Sequence, residues 1–199
     1  MAMRESRPAR QQRLAELLRA EPFLTDTELA ERLGASVPTI RLDRLALGIP
    51  EVRQRTSRLA QKAYGLVRSL GVGEVVGSPV ELSLGGEGTS VLDTDASMAF
   101  ARTGIIRGHY LFAQANSLAV ALIDAPAALT AAAEVRFQRP VRAGDRVVAT
   151  ARVVSRQKVR QGARYEVDVV ALVKDVEVFQ GRFSVHAFAG EDDLNGSQG

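Results

Sequence analysis

Arg107-Gly108-His109 leads into fourteen residues, 110–123, that carry no formal charge. In that run Ala113, Ala115, Ser117, Ala119 and Ala121 alternate with Leu111, Phe112, Leu118 and Leu122. Such a run reads as a helix apolar on nearly every side, so other parts of the chain must wrap around it. It is too short to cross a bilayer, which takes about 20 residues. A guanidinium at the mouth of an enclosed helix suits an anion. It forms paired hydrogen bonds with a planar carboxylate, and a helix N-terminus adds free N–H groups and partial positive charge. Asn116 is the second polar group of interest, an uncharged amide that donates and accepts hydrogen bonds. Structural readings stand beside these. Arg107 could be held in an ion pair with Asp93 or Asp95, His109 could be packed or capping, and Asn116 could be a satisfied core amide.

Composition narrows the chemistry. The 199 residues include no cysteine, which excludes disulfides, thiol catalysis and cysteine-ligated metal. Two histidines, His109 and His186, make a histidine metal cluster improbable, so no metal site and no cofactor are expected. The N-terminus lacks the apolar core of a signal peptide and no stretch reaches membrane-spanning length, so a cytoplasmic protein with no membrane partner is expected. Charge is uneven. Residues 1–68 hold 13 Lys+Arg against 8 Asp+Glu, a net of +5, and residues 69–199 hold 13 against 15, a net of −2. A basic segment on a mildly acidic body suits a nucleic-acid module joined to a sensing module.

The elements follow from spacing. Leu14, Leu17 and Leu18 give a first helix over 7–20. Thr25 with Glu28 three residues later is a capping box opening a second, which Gly34 ends. Ser36 caps a third, with Pro38 tolerated in its first turn, running to about Gly48. This is helix-turn-helix organisation over 1–50. The early residues of the third helix are the ones placed to read DNA. Thr39, Arg41 and Arg44 are the candidates for bases and Ser36 for a phosphate. An ion pair with Asp43 or Glu31 is the alternative use of those arginines. Residues 51–71 form an amphipathic linker helix of about 30 Å with Val52, Thr56, Leu59, Ala63 and Leu70 on one stripe. Arg53 and Arg55 on it are candidates for the DNA backbone or minor groove. Residues 72–189 read as one helix and short strands at 74–84, 89–93, 129–137, 145–156, 164–174 and 176–188, with a hairpin turn at Lys174-Asp175. The class is α+β, and the polar residues 190–199 are expected to be a disordered tail.

An antiparallel sheet around one apolar helix is the hot-dog architecture, and residues 136–145 resemble the strand–turn–strand segment of hot-dog thioesterases. Taken together, Thr39-Ile40-Arg41-Leu42-Asp43-Arg44, Ile49-Pro50-Glu51, Arg107-Gly108-His109 and the run 111–121 resemble the FapR family of bacterial repressors of fatty acid and phospholipid synthesis genes. The sequence departs from the family pattern at Val37-Pro38 and in the arginine-heavy segment 152–164. The resemblance implies a homodimer bound to an inverted-repeat operator on double-stranded DNA and released by malonyl-CoA or malonyl-acyl carrier protein. It also implies that Arg107 pairs with the malonyl carboxylate, that Gly108 gives the ligand room at the helix N-terminus, and that Phe100 lies near the ligand.

Hot-dog thioesterases often carry a histidine at the helix entrance and an acid nine residues on. Here those places hold Arg107 and Asn116. A neutral amide serves neither as general base nor as carboxylate nucleophile, yet it can hold a thioester, which favours binding over turnover and a non-enzyme. A hot-dog acyl-CoA thioesterase with an appended DNA-binding domain, and a regulator sensing a different acyl-CoA, are the alternatives.

Overall fold

A computed structural model describes residues 6–71, 74–160 and 162–188. The expected tail over 190–199 lies outside the described residues. The chain divides into two compact units, Met1–Leu59 and Ala60–Gly199.

In the first unit, helices α1 (Arg7–Ala20), α2 (Asp26–Leu33) and α3 (Val37–Ala46) close on a small core of Leu14, Leu18, Leu24, Leu29, Leu33 and Ile40. Local signals set the helix ends. The Thr25 backbone N–H donates to Glu28 Oε2 at 2.7 Å while the Glu28 N–H donates to Thr25 Oγ1 at 3.2 Å. Gly34 adopts φ +59 at the C-cap, where a side chain would be strained. A core this small needs polar fastening. Asp43, buried on α3, accepts from Arg10 Nε at 2.6 Å and Gln11 Nε2 at 2.9 Å, tying α1 to α3.

Helix α4 (Val52–Tyr64) is shorter than the expected linker helix. Gly65 follows it, and the side chains beyond are claimed by the second unit. Val67 and Leu70 pack on its core, the Ser69 hydroxyl donates to the Val120 carbonyl, and Arg68 pairs with Asp124. These tertiary bonds replace the two further helical turns that periodicity alone suggested. The boundary between the units falls inside α4.

The second unit is a six-stranded antiparallel sheet of β1 (Ser78–Leu82), β2 (Glu87–Asp93), β3 (Ala127–Phe137), β4 (Arg146–Val159), β5 (Gly162–Val173) and β6 (Val176–Phe188). Its order is β1-β2-β4-β5-β6-β3. Helix α5 (Gly108–Ala121) lies against β2, β3, β4, β5 and β6. Leu111, Ala115, Leu118 and Ala119 of α5 meet Val147, Ala149, Val167, Val169, Phe179 and Phe183 of the sheet. Alanines at the contact let the helix axis approach the strands, and each large side chain buried there stabilises the fold by about 1.5–3 kcal/mol. The β5–β6 hairpin turns through Lys174 and Asp175 at φ 48 and 65, a pair of positive values suited to a two-residue turn. Strand β3 pairs with β6 alone and forms one edge of the sheet. None of the helices among the described residues is long and apolar enough to cross a membrane.

Burial raises the Asp43 carboxyl, but the hydrogen bonds from Arg10 and Gln11 and the charges of Arg10 and Arg7 outweigh it and hold the group below its ordinary 3.8. Asp26 is held low in the same way by Arg44 and Arg41 against its own burial. A carboxyl depressed by folding stabilises the folded state above its unfolded value and loses that contribution as pH falls through the folded value. The thermal midpoint of the first unit is therefore expected to drop as pH is lowered below 3.8. Asp43→Asn is expected to lower the midpoint at neutral pH and to flatten that acid limb, as followed by circular dichroism.

Candidate functional site

Arg107 is the N-cap of α5, with extended backbone (φ −66, ψ 127) and its own N–H donated to the Met98 carbonyl. The side chain is held by neutral oxygens. Nε donates to Met98 O at 3.2 Å, and Nη2 donates to Ser97 O at 2.7 Å and to Tyr110 Oη at 3.1 Å. The guanidinium also lies over the Tyr110 ring, 5.2 Å from its centre. The two acids that could have taken it are engaged elsewhere. Asp93 accepts from Arg146 at 2.6 and 3.0 Å, and Asp95 accepts from the Ser97 backbone and hydroxyl at 2.7 and 2.5 Å. Arg107 is thus oriented by carbonyls and a phenol while no carboxylate among the described residues balances its charge, and a polar ligand could still approach Nη1.

Gly108 follows for a steric reason. A Cβ there would stand 3.0 Å from Phe137 Cε1, so the ring at the end of β3 covers the helix N-terminus and would have to give by a few tenths of an ångström to admit a side chain. Phe137 stands edge-on to Phe179, its register partner on β6, with ring centres 5.3 Å apart. Phe137 was not singled out in the sequence, although its place at the strand end opposite a core phenylalanine was the available signal. Phe100 lies 55% exposed on the loop between Met98 and Arg107, where its N–H donates to Ile105 O. It shares that loop with the carbonyls that hold Arg107 but adds no wall to an enclosed space. His109 is exposed, with its ring 4.3 Å from that of Tyr110.

Asn116 is half-buried, and its Oδ1 accepts from the Thr130 hydroxyl of β3 at 2.6 Å. Nine residues of helix separate it from Arg107, about 13 Å along the axis. Within one chain the two cannot grip the same small acyl group. Gln114, which sequence reasoning passed over, is fully buried. Its Nε2 donates to Ser90 O, Ser90 Oγ and Val147 O at 3.2–3.3 Å, while Oε1 has no partner among the described residues. It fixes α5 to β2 and β4 below the site. Two clefts, of about 340 and 590 Å³, lie away from Arg107, the first against Asp168 and Arg182 and the second against Arg156, Lys158 and Tyr165.

The candidate nucleic-acid face belongs to the first unit, and here two assignments need correction. Arg44 is 3% exposed. It bonds both carboxylate oxygens of Asp26, at 2.9 and 3.1 Å, and the Ile49 carbonyl at 2.9 Å. It braces the fold and is not available to a base. Its position four residues after Ile40 was the missed signal, since that spacing returns to the same helix face. Arg55 is 8% exposed, with its guanidinium donated to the Pro22, Leu24 and Pro50 carbonyls at 2.9, 2.6 and 2.5 Å. It fastens the start of α4 to the helical unit instead of reaching a phosphate. Arg41 and Arg53 are exposed, Arg41 with its Nε 3.5 Å from Asp26 Oδ2. Ser36 caps α3 by accepting from the Thr39 N–H at 3.3 Å, and the two hydroxyls are 2.8 Å apart.

A helix-turn-helix unit followed by a hot-dog domain defines a transcription factor built on a thioesterase-like scaffold. Comparison with known proteins agrees. Residues 85–170 match the Thioesterase superfamily. Transcription factor FapR of Bacillus subtilis (strain 168) is 46% identical over 185 residues, covering 92% of this chain and 97% of its own length. That of Halalkalibacterium halodurans is 49% identical over 189 residues, covering 95% and 100%. The chain belongs to the FapR family of transcription factors. Among solved structures, the uncharacterized protein PH1136 of Pyrococcus horikoshii superposes with a TM-score of 0.53 at 26% identity, over 62% of this chain and 92% of its own. The sigma28-regulated virulence protein Cj0977 of Campylobacter jejuni gives 0.59 at 21% identity, over 67% and 93%, a likeness of fold.

Removing one partner of a buried ion pair costs about 3–5 kcal/mol. Arg44→Ala is therefore expected to lower the stability of the helical unit by about that amount in denaturant unfolding, whereas Arg41→Ala, with a 65% exposed side chain, changes it by less than about 0.5 kcal/mol.

Proposed function

We propose that the chain represses fatty acid and phospholipid biosynthesis genes by binding an inverted-repeat operator as a homodimer, and that malonyl-CoA or malonyl-acyl carrier protein in the hot-dog domain releases it. The observation that carries this reading is the state of Arg107, a cation fixed by three neutral oxygens at a helix N-terminus, with no carboxylate of its own. A malonyl thioester brings the missing carboxylate. An acetyl thioester does not.

Dimerisation supplies the second half of the site. Strand β3 offers eleven residues along an open edge, with Leu129 and Phe137 more than half exposed. An exposed edge of that length seeks a partner strand. Antiparallel self-pairing centred near Ala132 would set the Thr130 of one copy close to residue 134 of the other. That carries Asn116, bonded to Thr130, toward the partner end that Phe137 and Gly108 occupy. Arg107 of one copy would then hold the carboxylate while Asn116 of the other holds the thioester.

A ligand shifts a conformational equilibrium only through unequal affinity for its two states. A carboxylate on Arg107 competes with the Ser97 and Met98 carbonyls for the same guanidinium, so binding loosens the 97–106 loop from the helix mouth. That change is the proposed origin of a different placement of the linker and of the DNA heads. With Ser36, Thr39, Arg41 and Arg53 on the DNA side, the release is read as lost operator binding.

By calorimetry, malonyl-CoA is expected to bind at least about a hundredfold tighter than acetyl-CoA, a difference of roughly 2.7 kcal/mol, and Arg107→Ala is expected to abolish the preference. Equal affinities would refute the assignment. Gly108→Val is expected to stay on the operator at ligand concentrations that release the wild type, because the added branches meet the Phe137 ring. The thioesterase alternative predicts thiol release from malonyl-CoA above background. A sensor of another acyl-CoA would show its largest thermal shift with that ester in a panel.

A further inference from the structure

Helix α3 places its side chains in a pattern that the search for charged DNA contacts overlooks. Ile40, Asp43 and Arg44 are 0, 2 and 3% exposed and form its inner face. On the opposite side Leu42 and Leu45 are 66 and 69% exposed, and Arg41 at the edge of the same stripe is 65% exposed. At 100° per residue, Pro38, Arg41, Leu42 and Leu45 fall on one outward stripe about 100° wide. Thr39 lies at its margin, half-buried, with its hydroxyl bonded to Ser36. With Arg44 spent on Asp26, the stripe carries a single hydrogen-bonding side chain.

Two adjacent exposed leucines are out of place on the outer face of a ten-residue helix unless something covers them. The surroundings say what. The first 68 residues carry a net charge of +5, and the exposed cations Arg41 and Arg53 belong to the same small unit. An apolar strip bordered by cations fits a polyanion that also presents apolar groups. In the major groove of DNA that group is the thymine C5-methyl, which is absent from the other three bases. The second helix of a helix-turn-helix unit is the element that enters that groove.

We infer that Leu42 and Leu45 are specificity-determining residues that read thymine methyl groups, leaving Arg41 as the one base-reading cation of the helix. The inference rests on the operator-binding reading proposed above. It predicts half-sites in which thymines, not a run of guanines, carry most of the discrimination. Burying one methyl group corresponds to about a fourfold gain in affinity.

The test separates the two readings. Operator duplexes are enriched from a randomised pool by the full-length protein, and each thymine of the enriched half-site is then replaced singly by deoxyuridine, which removes only the methyl group. For the wild type, at least one replacement is expected to weaken binding about fourfold. For Leu42→Ala or Leu45→Ala the same replacement should cost less than about 1.5-fold, since the contact is already gone. Both leucines are exposed and alanine favours helix, so the variants are expected to melt like the wild type. If no deoxyuridine replacement matters, or if its effect multiplies independently with the leucine substitutions, the methyl-reading proposal is wrong while DNA binding stands. If the pool yields no enriched duplex, the operator-binding reading itself fails and this inference with it. Sedimentation of the free protein covers the remaining occupant. A change of oligomeric state in Leu42→Ala/Leu45→Ala, with no deoxyuridine effect, would assign the stripe to self-association and overturn the proposal.

Discussion

The second unit depends on burying α5. A helix apolar on nearly all sides cannot face water, and the sheet cannot leave its inner face of Val147, Val167, Phe179 and Phe183 exposed either. Each covers the other, which fixes which strand faces turn inward and where the helix begins and ends. The start of the helix is the consequential place. Its N–H groups emerge where β3 finishes, so Phe137 roofs Gly108, and the loop before the helix brings its carbonyls to Arg107. The placement of Arg107 is thus a by-product of how an enclosed helix must enter its sheet.

Access separates the arginines named above into two kinds. Arg44 and Arg55 are almost fully buried inside the first unit, Arg44 on Asp26 and a carbonyl and Arg55 on three carbonyls, and a small helical unit with a core of seven buried residues relies on them. Arg107 is positioned with comparable care but faces only neutral oxygens. What distinguishes Arg107 from Arg55 is that it is half-buried at a helix N-terminus, whereas Arg55 is 8% exposed. Asn116, bonded to Thr130, is an uncharged amide, which does not act as a general base.

The helical unit was largely legible in the sequence because its signals are local. A capping box, a glycine in the left-handed region and a serine N-cap act over three or four residues, and α2 begins and ends, and α3 begins, where those residues place them. The linker was less legible. Its apolar periodicity continues to Leu70, but Gly65 and the second unit's claim on Val67, Ser69 and Leu70 stop the helix at Tyr64. Strand β3, expected at 129–137, runs over Ala127–Phe137, although an edge strand with most of its residues exposed lacks the alternation that marks a half-buried one.

From the order of residue types alone came the two-part organisation and the enclosed helix with a cation at its mouth. These are properties of composition, short-range spacing and side-chain chemistry, which a chain carries before it folds. Only the folded chain decided which arginines are free. Arg44 and Arg55 look like DNA contacts in sequence because nothing local reveals Asp26, Pro22 or Leu24 waiting eighteen to thirty-three residues away. The roof that Phe137 lays on Gly108 and the separation of Arg107 from Asp93 and Asp95 likewise arise between segments distant in sequence. Such pairings are settled by which surfaces meet in three dimensions.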